Sequence, residues 1–274
     1  MTISAPYPDI DELLDSCGAA GVRLSDIDAS EGAAGNISLY IGWDLDPLRK
    51  FPLTQSTELP TPVPELAGKS FLVTGSGRRL RDIIKDPGAN MGFLKVEQGG
   101  KQATLYTSPR CRFTHLTSEF NSHLSVHCDQ VKRTGTNFHA VVHAQPPFLT
   151  YLSHIPRYQN IEYLNKHILR WQPELIVQFP EGIGVVPFLV PGSIELMGAT
   201  VDILRTHRLL IWAKHGVITR SDISVNKATD LIEYSETAAR YEYMNLVNAE
   251  QTEGLSQEEL RAICAAFSVS QNLF

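Results

Sequence analysis

The stretch Phe138-His139-Ala140-Val141-Val142-His143-Ala144-Gln145 contains a short apolar run, Ala140 to His143, that reads as a buried β-strand. Pro146-Pro147 forbids its simple continuation. Residues two apart on a strand face the same side, so His143 and Gln145 project together. A His-x-His pair at this spacing would offer two imidazoles to one ion. Here the second position carries an amide, whose oxygen is a far weaker zinc ligand than an imidazole nitrogen. His139 shares the face if the strand reaches it. Four residues of strand nevertheless separate the Cα atoms of His139 and His143 by roughly 13 Å, too far to share an ion.

Strands and helices are interspersed on both sides of this run. Asn36–Ile41 and Ser70–Thr74 read as strands, with a Pro- and Thr-rich surface excursion, Pro47–Pro64, between them. Arg79–Ile84 reads as a short helix stopped by Pro87. Leu94–Val96 and Gln102–Tyr106 fit a hairpin around Gln98-Gly99-Gly100. The apolar spacing of Ile10, Leu13, Leu14 and Cys17 predicts a helix over Asp9–Val22, ending near Gly18 and Gly21. Further helices are expected over Ser118–Arg133, capped by Thr117 or Ser118, and over Pro147–Ser153, Ile194–Thr206, Ser224–Val247 and Ser256–Phe267. Glu174–Phe179, Gly182–Val186 and Leu209–Ala213 read as strands. With no repeat or clear linker, the pattern predicts one α/β domain over residues 1–274, built on a mainly antiparallel sheet.

Composition narrows the function classes. Of 274 residues, 43% are hydrophobic and 20% charged, as in ordinary globular proteins. The formal charge of -6, without a Lys/Arg-rich block, argues against nucleic acid as a partner. Cys17, Cys111, Cys128 and Cys264 are scattered, which suits reduced thiols in the cytoplasm. No apolar run is long enough to span a membrane, and the N-terminal residues lack a signal-peptide pattern.

Three places could bind an anion. Gly35-Asn36 and Thr74-Gly75-Ser76-Gly77 are glycine-rich turns at strand ends, where backbone N–H groups can converge on a phosphate. Thr117-Ser118 stands at an expected helix start, where free N–H groups and the helix dipole favour the same ligand. Each is also an ordinary turn or cap when taken singly; three together point to a phosphorylated ligand. Glu119 is either a first-turn carboxylate complementing the helix dipole or a general base tuned by its surroundings. Glu174 is a strand-start carboxylate or a second acid/base. His143 alone reads as a hydrogen-bonded core histidine. His215 sits at a strand end before Gly216, a placement that delivers ligands to a site. His115, His123, His127, His154, His167 and His207 show no comparable placement.

In this order, Gly35-Asn36-Ile37-Ser38, Val73-Thr74-Gly75-Ser76-Gly77, Thr117-Ser118-Glu119, His143 and Trp212-Ala213-Lys214-His215-Gly216 resemble the class II aldolase/adducin family, from about residue 30 to the C-terminal helices. Together with Phe179-Pro180-Glu181-Gly182-Ile183-Gly184-Val185, they look most like its bacterial rhamnulose-1-phosphate aldolase branch. The resemblance implies a three-layer α/β/α fold with a mostly antiparallel sheet, and a homotetramer with sites at subunit interfaces. It also implies reversible cleavage of a ketose 1-phosphate to dihydroxyacetone phosphate and an aldehyde, with Zn2+ polarising the donor carbonyl. Carried onto this chain, His143 and His215 are metal ligands, and Glu119 moves the donor's C3 proton. Gly35, Asn36, Gly75, Ser76, Gly77, Thr117 and Ser118 form the phosphate pocket. Glu174 reaches a neighbouring subunit's site. Two positions depart from the pattern: Gln145 replaces the middle histidine, and Ala33-Ala34 stand where Asn and Gly are expected. A non-catalytic, adducin-like binding or assembly protein and a pentulose-phosphate epimerase are the alternatives the same resemblance leaves open.

Overall fold

Nine strands form one open sheet among the described residues, 2–248 and 252–274, of a computed structural model. In chain order they are β1 (Asn36–Ile41), β2 (Leu53–Glu58), β3 (Ser70–Thr74), β4 (Met91–Val96), β5 (Gln102–Thr107), β6 (Phe138–Ala144), β7 (Gly184–Val186), β8 (Leu209–Trp212) and β9 (Gly216–Ser221). Their spatial order is β2-β5-β4-β3-β1-β6-β9-β8-β7. Every neighbouring pair is antiparallel except β7 and β8. The helices are α1 (Ile10–Asp26), α2 (Pro87–Asn90), α3 (Phe120–Thr134), α4 (Pro147–Ser153), α5 (Ile161–Ile168), α6 (Pro173–Gln178), α7 (Ile194–Leu204), α8 (Val225–Val247) and α9 (Gln257–Ala266).

The central strands β1 and β6 are buried along their whole length, which is why neither shows a polar alternation in sequence. Ile37, Leu39 and Ile41 of β1, with Ala140, Val142 and Ala144 of β6, face a core that includes residues of α1, α4 and α8. The opposite face packs Tyr40, Phe71 and Val73 against Phe120 and Leu124 of α3, and Val141, Leu210 and Trp212 against Val126 of α3 and Leu196 of α7. The result is the three-layer α/β arrangement. No described helix is long and apolar enough to cross a membrane.

Several elements depart from expectation. Glu174–Phe179 lies largely in helix α6, with Pro173 at its N-terminus, instead of a strand; proline supplies a helical φ where no N–H is needed. The 47–64 excursion contains β2, an exposed polar edge strand paired with β5. Arg79–Ile84 is only a 3-10 turn at Leu80–Asp82. At the start of α3 neither Thr117 nor Ser118 caps; Glu119 occupies the N-cap position without a side-chain cap bond. Helix α1 runs past both glycines to Asp26. A Cβ on Gly21 would fall 2.2 Å from the carbonyl oxygen of Leu80, and one on Gly18 would fall 2.8 Å from Ile84 Cα. These glycines permit close packing instead of ending the helix.

Helix α4 is held from across the core. Pro146 offers it no side-chain cap, and Glu236 of α8 instead accepts the N–H groups of Phe148 (2.8 Å) and Leu149 (2.9 Å). Burial pushes the Glu236 carboxyl up to about 7, against the pull of those two N–H donors. Its folded value therefore exceeds the ordinary 4.5, and the stability it contributes is fully present below about pH 4.5 and lost as pH rises through 7. Denaturant titrations across this range should show that decline, and Glu236→Gln, which cannot ionise, should remove this component of the slope. Gly21→Ala should cost about 1–3 kcal/mol in the same measurement at fixed pH, because the added methyl must displace Leu80.

Candidate active site

The β1–β6 register sets Asn36 directly opposite His143. Strand β9 pairs on the other side of β6, with His143 opposite Ile218. The three-residue turn between β8 and β9 then returns His215 to the same end of the sheet. Lys214 makes that turn with φ of +66°, and the turn is pinned from outside. The Lys214 N–H donates to Ser153 Oγ at 2.7 Å, and the Ala213 N–H donates to the Val186 carbonyl at 3.1 Å. Gly216 completes the approach. A Cβ there would lie 2.4 Å from the Ala144 carbonyl oxygen and 3.1 Å from both Gln145 Cγ and His143 Cε1.

Glu119 arrives from the start of α3, 5% exposed. Its Oε2 lies 3.5 Å from His143 Nε2, and its Oε1 lies 3.3 Å from His215 Nε2. The Asn36 amide donates to Oε2 at 2.8 Å. His143 Nδ1 is 2.8 Å from the Val217 carbonyl oxygen. A carbonyl can only accept, so in the neutral ring the proton is on Nδ1 and the Nε2 lone pair faces the carboxylate. Trp212 packs against both rings, with centroids 4.8 Å from His143 and 5.3 Å from His215, and its own N–H is fixed on Thr200 Oγ1 at 2.9 Å.

Charge in this cluster is unbalanced. Burial opposes ionisation of Glu119, but His143, the Asn36 amide and His215 outweigh it and hold the carboxyl below its ordinary value. Burial, with His143 beside it, lowers His215 to about 4 although Glu119 pulls the other way. At neutral pH the site therefore holds an ionised Glu119 carboxylate beside the neutral imidazole of His215. Such electron-rich groups are at ease together only with a cation or proton among them. The ligand atoms of Glu119, His143 and His215 all lie within 4.8 Å of one another, close enough to accommodate one ion. The donor set fits a metal.

A cavity of about 260 Å³ opens onto the cluster. Every residue expected in the phosphate pocket lines it (Gly35, Asn36, Gly75, Ser76, Gly77, Thr117 and Ser118), as do Gln145, Ala33 and Ala34. The backbone narrows their roles. The Ser76 N–H is already spent on the His115 carbonyl, and the Thr117 N–H on the Thr74 carbonyl. Asn36 holds Glu119 rather than standing free for an anion. Glu174 does not join this group; it is exposed in the first turn of α6 and is not among the residues lining the cavity. The structure also places Trp212 and the Val217 carbonyl against His143, neighbours that local sequence could not reveal because one acts through its ring face and the other through its backbone.

Residues 18–243 match the family model for the class II aldolase and adducin N-terminal domain. The chain belongs to this family. It is 30% identical over 245 residues to rhamnulose-1-phosphate aldolase of Yersinia pseudotuberculosis serotype O:1b (strain IP 31758), covering 88% of each chain. A solved sugar-phosphate aldolase from Thermotoga maritima superposes with a TM-score of 0.73 at 28% identity, over 89% of this chain and 99% of that one. L-fuculose-1-phosphate aldolase from Thermus thermophilus shares the fold, with a TM-score of 0.54 at 19% identity over 85% and 94% of the two chains. Class II aldolases depend on a metal, and among the described residues Glu119, His143 and His215 form the group suited to hold one.

In this class II aldolase-family chain, Asn36→Ala should raise the titration midpoint of Glu119, because the carboxylate loses its donor while its buried setting stays. NMR of 13C-labelled glutamate carboxyls reads that midpoint directly. An unchanged midpoint would show that the amide does not hold the ionised form.

Proposed function

We propose that this chain is a metal-dependent sugar-phosphate aldolase that cleaves a ketose 1-phosphate, such as rhamnulose 1-phosphate, to dihydroxyacetone phosphate and an aldehyde. The observation that carries the reading is the lodging of Glu119 between two imidazoles at one end of a cavity lined by the glycine-rich turns. His143 and His215 would hold a divalent ion, zinc by the chemistry of imidazole donors, with Gln145 Oε1 taking the place of a third histidine. When bound, that ion supplies Lewis acidity toward the donor's carbonyl. Glu119 accepts and returns the proton at the donor's C3. Gly75, Ser76, Gly77, Thr117 and Ser118, with Gly35, orient the phosphate and hold the donor across the cavity, while Asn36 holds Glu119. The reading extends to one such domain over residues 1–274, working in the cytoplasm as a homotetramer in which exposed Glu174 serves a neighbouring subunit's site.

Gln145 favours one other reading, a phospho-sugar-binding protein without catalysis. An amide oxygen is the weaker ligand, and its place in the cavity is where metal affinity would be lost. Metal analysis and an aldol-cleavage assay on several ketose 1-phosphates separate the two. The aldolase reading expects bound divalent metal and cleavage, with Gln145→His raising metal affinity. It also expects Glu119→Gln to lower turnover by about 10²- to 10⁴-fold. Absence of cleavage in the presence of excess zinc, cobalt or manganese, alongside tight phospho-sugar binding by calorimetry, supports the binding protein instead.

A further inference from the structure

Behind the site, the face of β1 turned toward α3 carries a polar seam. Asn36 and Ser38 project from it in succession, opposite His143 and Val141 of β6, while Tyr40 stands opposite His139. Helix α3 answers with Glu119, His123 and His127 at four-residue spacing, so the three share one helix face. Asn36 holds Glu119. Ser38 Oγ lies 2.8 Å from His123 Nδ1 and 2.7 Å from His127 Nε2. His127 Nδ1 lies 2.8 Å from His139 Nδ1; His139 Nε2 makes no hydrogen bond among the described residues, and Asp222 Oδ1 lies 3.7 Å from it. Ser38, His123, His127 and His139 are all 0% exposed. Burial, as the leading cause, lowers His123 to about 3 and holds His127 and His139 well below the ordinary value, so the three rings are neutral.

A hydroxyl and three neutral imidazoles, joined by hydrogen-bonding contacts from His123 through Ser38 and His127 to His139, are a proton conductor in form, since each can donate one proton while accepting another. We propose that Ser38, His123, His127 and His139 form a buried proton relay connecting Glu119 with Asp222 at the far end of α3. The proposal rests on the aldolase reading for the identity of Glu119 as the proton-transfer group. The line can run in two directions. In one, the His139 Nδ1–H donates to His127 Nδ1, the His127 Nε2–H donates to Ser38, and the Ser38 hydroxyl donates to His123 Nδ1. His123 then carries its proton on Nε2, an atom buried without a partner and one helical turn from Glu119. When that proton passes to the Glu119 carboxylate, each group hands one proton along. His123 Nδ1 takes the Ser38 proton, Ser38 takes that of His127 Nε2, and His127 Nδ1 takes that of His139 Nδ1. His139 Nε2 then gains one proton from the Asp222 side. One proton enters, one leaves, and the line now points the other way, with the His139 Nε2–H facing the carboxylate of Asp222. The reverse sequence carries a proton out. These residues touch no substrate; they position and resupply the proton that Glu119 handles.

Deuterium exchange tests the relay apart from cleavage. The metal-loaded enzyme is held with dihydroxyacetone phosphate in D2O without aldehyde, and NMR follows replacement of the C3 proton. Ser38→Ala, which removes the central hydroxyl, should slow exchange by about tenfold or more. His139→Gln, at the end away from Glu119, should do the same, with affinity for dihydroxyacetone phosphate unchanged in both; a merely structural role would not move exchange in this selective way. Should one variant fail to fold, the other still decides. Wild-type exchange rates in the folded variants overturn the relay. Absence of exchange in the wild-type enzyme that binds the donor removes the aldolase reading and the relay with it. A second readout needs neither metal nor donor: Ser38→Ala should shift the imidazole 15N resonances of both His123 and His127, and unmoved resonances would show that the links do not exist.

Discussion

The antiparallel register of β1 against β6 is the constraint from which the site follows. Pairing Asn36 with His143 places an amide donor and an imidazole side by side on the face covered by α3. Helix α3 must then bring Glu119 to both, because its apolar residues Phe120, Leu124 and Val126 are committed to the same sheet face. A one-residue slip of β1 would turn Asn36 and Ser38 toward the α1/α8 core and Ile37 and Leu39 toward α3. Both buried faces would then be wrong, which gives the register its energetic weight.

Within that frame the cluster holds its charge at an energetic cost. A core of this size could bury Glu119 more cheaply as a glutamine or a leucine. Instead the carboxyl is held below its ordinary value, against burial, by His143, the Asn36 amide and His215, while the Val217 carbonyl fixes which nitrogen of His143 faces it. The surroundings are correspondingly rigid: Trp212 against two imidazoles, Lys214 pinned to Ser153, and Gly216 leaving no room for a side chain. The polar seam behind Glu119 carries the same logic deeper, with imidazoles paired to one another and to Ser38 instead of water.

Much of this is legible in the sequence, and for identifiable reasons. β1, β3 and α4 run over the residues expected of them, because short apolar runs bounded by glycine or proline announce their own ends. The glycine-rich turns and His215 sit at strand termini, where sequence patterns are also sharpest, and they meet at one cavity. Expectation fails where packing overrules local preference. Leu175-Ile176-Val177 looks like a strand by composition yet follows Pro173 into a helix, and Gly18 and Gly21 look like stops yet lie inside α1. His123, His127 and His139 share no sequence signal because two lie on a helix and one on a strand, and nothing local joins them.

By itself, then, the sequence determined the strands β1, β3 and β6 and the helix α4 that follows His143, the residue types available for metal and proton chemistry, and the family to which the chain belongs. Those properties reside in short-range periodicity, turn chemistry and motif order. Only the tertiary structure decided that Asn36 serves Glu119, that Nε2 of His143 faces the carboxylate, and that Gln145 lines the same cavity. It also decided that three scattered histidines join in one buried line. Hydrogen bonds and charges act over a few ångströms in space, and the residues that make these contacts are separated by as many as 89 positions along the chain.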